Sequence, residues 1–167
     1  MGLRQPYGRG RRPIRRNDLR RSPAAPVFVV HSLAHAVAAL AATAEAGRPV
    51  TLLSASGAAL YAGPGWWRAL IDAARAAVPA SRSRALLDCA NDAGAAQGAI
   101  RAGVEAIVFT GHRNIGERLA DIAGQRGIEV VSERPSAALD LADFFFADPS
   151  QLLRRCRDVL ALVTRAC

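Results

Sequence analysis

Five times along this chain a short, mainly apolar run is followed by a stretch with helical apolar spacing. The runs are 27–30, 49–53, 85–87, 106–109 and 128–131. Runs without polar alternation read as strands buried on both faces, and such strands separated by helices form parallel sheets under a helical cover. The punctuation agrees. Ser32 is placed to cap a helix over 34–46 that Gly47 stops. A helix over 66–78, apolar at 67, 70, 71, 74, 77 and 78, closes at Pro79. Asp92 caps a helix that Gly103 ends, and Gly127 ends another over 114–125. Pro149 opens a helix over 150–164, with 152, 153, 156, 159, 160 and 163 on one face. Residues 54–57 and 63–65 carry turn chemistry, and 134–143 carry no clear pattern.

The charge is unevenly placed. Every basic residue is arginine, and eight arginines with a single acid, Asp18, fall within residues 1–26, so nearly all of the +8 net charge resides there. That segment reads as a basic, solvated leader, able to touch nucleic acid only by charge. No apolar segment follows its arginines before Pro23 and Pro26, so it is not a secretory signal. Residues 27–167, apolar enough to build a core, form one α/β domain. No run is long enough for a membrane span. Three cysteines (89, 156 and 167) make neither a disulfide framework nor a C-x-x-C pair, which fits a reducing, cytoplasmic setting.

In parallel α/β folds ligands bind beyond the carboxyl ends of the strands. That rule selects Ser54, Ser56 and Gly57 after the second run and Asp88 with Cys89 after the third. It selects Thr110, Gly111 and His112 after the fourth and Glu133 after the fifth. Asp88 and Glu133, facing one another, would suit proton transfer; Asp88 could equally bond nearby loop amides. The turns at Ser54–Gly57 and Thr110–Gly111 could offer amides to a phosphate. Cys89 could be a nucleophile beside His112, but a cysteine there is more often a small buried hydrophobe. His31 and His35 have metal-ligand spacing but lack a third ligand, and read instead as capping or surface residues. One of Trp66 and Trp67 belongs to the core.

The order of segments resembles the N-terminal portion of the class II, zinc-dependent ketose-bisphosphate aldolases. The matching stretches begin with Pro49-Val50-Thr51-Leu52, Gly57-Ala58-Ala59-Leu60-Tyr61 and Leu86-Leu87-Asp88-Cys89. They continue with Ala99-Ile100-Arg101-Ala102-Gly103, Val130-Val131-Ser132-Glu133 and Phe146-Ala147-Asp148-Pro149. The resemblance covers about residues 27–150 and implies a partial aldolase-type TIM barrel, or the same units relaxed into an open three-layer sheet. It makes Asp88 the counterpart of the family's catalytic, proton-transferring aspartate. Cys89 falls on a zinc-binding histidine and Glu133 on a glutamate near the metal, while Leu86 and Val131 replace the other members of those two motifs. Thr110 replaces the aspartate of a D-G-S turn whose glycine is Gly111. The family's substrate-side serine falls on Ala55, between Ser54 and Ser56.

The family's remaining zinc histidines and phosphate-binding glycine loops lie beyond the matching region. One thiolate and one carboxylate are fewer than the three protein ligands of a catalytic zinc. The expectation is a degenerate aldolase-like protein, if active a lyase, that retains sugar-phosphate binding at Ser54, Ser56, Gly57, Thr110 and Gly111 without full zinc-dependent cleavage. The other reading is a non-catalytic scaffold whose basic tail meets an acidic partner. Exposed sheet edges further suggest a homo-oligomer.

Overall fold

A computed structural model describes residues 25–165, so the leader expected over 1–26 lies outside the described residues except for Ala25 and Pro26. The strands are β1 (Val27–Val30), β2 (Val50–Ser54), β3 (Ser83–Asp88), β4 (Ala106–Val108), β5 (Glu129–Val131) and β6 (Leu139–Asp140). The helices are α1 (Leu33–Glu45), α2 (Ala58–Tyr61), α3 (Gly63–Ala77), α4 (Ala93–Ala102), α5 (Arg113–Gly124) and α6 (Pro149–Arg165). Every strand pairing is parallel, in the order β5-β4-β3-β2-β1-β6.

Strand alternation sends side chains to two different places. Phe28, Val30, Leu52, Leu87 and Ile107 join one core cluster with residues from the helices. Val29, Leu53, Leu86, Ala106 and Val108 form a second cluster to which no helix contributes. The helices therefore cover one face only. Among the described residues this is the expected parallel α/β fold, in the form of an open sheet with its helices packed on one face. The sheet is open: β5 and β6 are its edges, and no pairing joins them among the described residues. Leu40, Leu52, Leu53, Leu86 and Leu87 are completely buried, and each such side chain contributes about 1.5–3 kcal/mol by leaving water.

The caps follow the sequence. Ser32 Oγ accepts the His35 backbone N–H at 3.2 Å, and Asp92 Oδ1 accepts that of Ala95 at 2.7 Å. Gly103 ends α4 in the left-handed conformation at φ +73°, which a glycine adopts without strain. Residues 63–65 differ from expectation: they are the first turn of α3, with Pro64 where a proline's missing N–H costs nothing. Within 134–143 lies an unforeseen strand, β6, which covers the outer edge of β1 through the pairs Phe28↔Leu139 and Val29↔Asp140. The α6 face is as expected, with Leu152, Cys156, Val159 and Leu160 buried. Among the described residues, no helix is long and apolar enough to cross a membrane.

Candidate functional site

Because all six strands are parallel, the segments that follow them gather at one end of the sheet. Asp88, the last residue of β3, lies on that end and is 2% exposed. Its alternation partner Leu86 points into the helix-free cluster. The carboxylate is committed on both sides. Oδ1 accepts the Gly57 N–H at 2.9 Å and the Ala90 N–H at 2.8 Å. Oδ2 is paired with the guanidinium of Arg134. Arg134 also donates from Nη2 to the Ser54 carbonyl at 2.9 Å, so one side chain joins the ends of β2 and β3.

The backbone around Asp88 is bent to serve it. Gly57 sits at φ +65°, in the left-handed region that glycine occupies freely. Ala90 sits at φ +49°, a conformation that costs a non-glycine residue about 1–2 kcal/mol. In that conformation its N–H meets Asp88 while its carbonyl accepts the Thr110 N–H at 2.8 Å. Backbone strain of this kind persists where the surrounding contacts over-determine it.

The other residues selected from the sequence have separate fates. Ser54 is buried; its Oγ accepts the Asp88 N–H at 2.9 Å and donates to the Ala55 carbonyl at 3.0 Å. Ser56 is exposed. Gly111 lies against the Phe109 ring so closely that a Cβ there would fall 2.4 Å from Cζ. Gly111 and Glu133 both line a cavity of about 470 Å³ between α5 and the end of β5, walled by Phe109, Val130, Arg113 and Glu117. Glu133 is exposed, and the side chain that reaches the Asp88 carboxylate belongs to the next residue, Arg134. Sequence reasoning passed over Arg134 because it lies in the patternless stretch after β5.

Cys89 points away from this end, into the helix-side core, where it is completely buried. Burial, with smaller contributions from Asp88 and Asp92, pushes its thiol up to about 12. It is therefore a poor nucleophile. The residues that the resemblance assigns to zinc do not fit the metal. The Cys89 Sγ makes its one hydrogen-bond-like contact, at 3.9 Å, with the Leu87 carbonyl, while Glu133 stands exposed at the cavity. The described residues contain no group of three or more His, Cys, Asp or Glu able to hold a metal ion.

A second polar cluster occupies the ends of β1 and β6. His31 Nε2 lies 2.7 Å from Asp140 Oδ1. His35, expected as a capping or surface residue, is completely buried, with Nε2 3.4 Å from the Phe144 carbonyl. Burial would raise the Asp140 carboxyl, but bonds from His31 and the Ala142 N–H, with the nearby charges of His31 and Arg134, hold it below the usual carboxylate value. Apart from the i, i+4 spacing of the two histidines, no sequence signal marked this cluster.

No protein-family model matches the chain, and no curated protein matches it. Among solved structures, it is similar to a protein of Coccidioides immitis provisionally named a fructose-1,6-bisphosphate aldolase, with a TM-score of 0.54 and 22% sequence identity. The match covers 64% of this chain and 40% of that one, so this chain spans less than half of that protein's length. Identity this low speaks to fold alone. The chain has an aldolase-like α/β fold, an open six-stranded parallel sheet with its helices on one face.

Proposed function

We propose that this chain is a degenerate relative of the class II ketose-bisphosphate aldolases that binds a sugar phosphate at its strand ends without performing zinc-dependent aldol cleavage. The observation that carries the reading is the state of Asp88. An aspartate that shuttles protons needs a carboxylate oxygen open to substrate. Here one oxygen holds two backbone N–H groups and the other holds Arg134. The poor fit of Cys89 and Glu133 to zinc supports the same conclusion, because the aldol reaction would lose the Lewis acid that polarises its carbonyl. Binding is supported by Arg134 itself. A guanidinium has five donors in a planar fork suited to phosphate, and two of them are used by Asp88 and Ser54.

The test combines calorimetric titration with fructose 1,6-bisphosphate, zinc analysis of the purified protein and a coupled cleavage assay. Saturable binding without cleavage and without stoichiometric zinc is the expected result. Cleavage that depends on bound zinc would overturn the degenerate reading, and absence of any binding would overturn the sugar-phosphate reading.

A further inference from the structure

Residues 132–148, which join β5 to α6, run across the strand ends and are fastened at two places. One fastening is Arg134 on Asp88 and the Ser54 carbonyl. The other lies at the end of β1, where His31 holds Asp140 and His35 meets the Phe144 carbonyl. Asp140 Oδ1 also accepts the Ala142 N–H at 2.9 Å, so the turn after β6 hangs from the same oxygen.

The hydrogen bonds at His35 specify its protonation state. The His31 backbone N–H donates to His35 Nδ1 at 3.3 Å. That nitrogen must therefore present a lone pair, and the ring's single proton belongs on Nε2, toward Phe144. The ring is completely enclosed, edge-on to His31 at 6.0 Å and to Phe145 at 5.8 Å. A second proton has nowhere to go but Nδ1, where it displaces the His31 N–H; the Phe144 carbonyl still accepts from Nε2, but the new Nδ1–H of the buried cation has no acceptor until water reaches the ring.

We infer that His35 is a pH-sensitive catch on this strap: protonation at Nδ1 opens the Phe144–Phe146 turn over the ring and loosens the chain that also carries Arg134 over Asp88. This regulation rests on the reading of the Asp88 end as the ligand site. The charged groups around the ring come from three elements. His31, after β1, opposes a second cation. Asp140, of β6, favours one but is already bonded to His31. From α6, Arg155 lies 5.5 Å from the Phe144 ring centroid. Burial is the leading influence and holds the imidazole below its ordinary value of 6.5, against the Phe144 carbonyl, which raises it. The sign follows. The catch is closed above the ordinary histidine value and is lost as pH falls toward and through the lower value of His35.

The experiment uses the full chain labelled with fluorophenylalanine and with ¹⁵N-histidine, followed by NMR from about pH 8 to about pH 4.5, the range in which histidines titrate. The Phe145 and Phe146 fluorine signals are expected to shift with the same midpoint as the His35 ring nitrogens, below that of an ordinary histidine. His35→Gln, which retains a neutral donor, is expected to lose the shift, whereas His31→Gln retains it. Titration of His35 with unmoved Phe signals overturns the inference, as does a shift that survives in His35→Gln. If that variant fails to fold, the comparison of midpoints in the unmodified protein decides. Titration with fructose 1,6-bisphosphate on both sides of the midpoint separates the two readings. A release with no change in affinity sustains the catch and overturns the assignment of the Asp88 end as the ligand site.

Discussion

Arg134 is paired with Asp88 across 46 residues of sequence, and its other terminal nitrogen reaches the Ser54 carbonyl. Asp88 is 2% exposed and the arginine side chain 29%, so this is a buried carboxylate with a cation over it. Removing one partner of such a pair leaves a desolvated charge and typically costs about 3–5 kcal/mol. Arg134→Ala is therefore expected to lose about 3 kcal/mol in urea denaturation. The double variant Arg134→Ala with Asp88→Asn is expected to recover part of that loss. Additive losses would show that the two side chains are energetically independent.

Two glycines contact the same ring with opposite consequences. A Cβ at Gly111 would sit 2.4 Å from Phe109, whereas one at Gly116 would sit at an ordinary 3.5 Å. Gly111→Ala is expected to destabilise by about 1–3 kcal/mol through overpacking. Gly116→Ala, inside α5, is expected to be neutral or to stabilise by up to about 1 kcal/mol through helix propensity. Thermal unfolding of the pair reads the contrast, and equal effects would refute the Phe109 contact.

Burial pushes both Cys89 and Cys156 up to about 12. Neither thiol is expected to react with iodoacetamide in the native protein at neutral pH, because thiolate is the reactive form. Mass mapping after a timed exposure should find both unmodified until denaturant is added. Native alkylation of Cys89 would revive it as a nucleophile.

Leu141 follows β6, is completely buried and belongs to the helix-side core. Leu141→Ala is expected to cost about 2–5 kcal/mol, the usual range for a leucine truncated in a packed core. A cost below about 1 kcal/mol, the range of ordinary surface changes, would show that the strap does not share that core.

The strands and helices were legible where burial is uniform along the element. Val27–Val30 and the α6 face at Leu152, Cys156, Val159 and Leu160 read directly, because every position or every third and fourth position is apolar. The strand β6 was not legible. Two residues carry no period, and Leu139 is buried only because β1 needed an edge partner. Asp88 was found by its place at a strand end, but its partner was not. An arginine in a loop is ordinarily solvated, and only the fold brings Arg134 over β3. His35 looked polar and exposed; its burial depends on Phe144 and Phe145, which arrive from the far end of the chain.

The place of β6 has a consequence for how the molecule is made. The first strand finishes its pairing only when residues 139–140 emerge, and α1 gains its neighbour α6, with the Glu45–Arg157 pair, later still. On the ribosome β1 and α1 therefore stand with one edge and one helix face uncovered until β6 and α6 have emerged. Native contacts this distant in sequence slow folding, and during that interval β1 presents Val27–Val30 as an open, apolar edge to any other nascent copy.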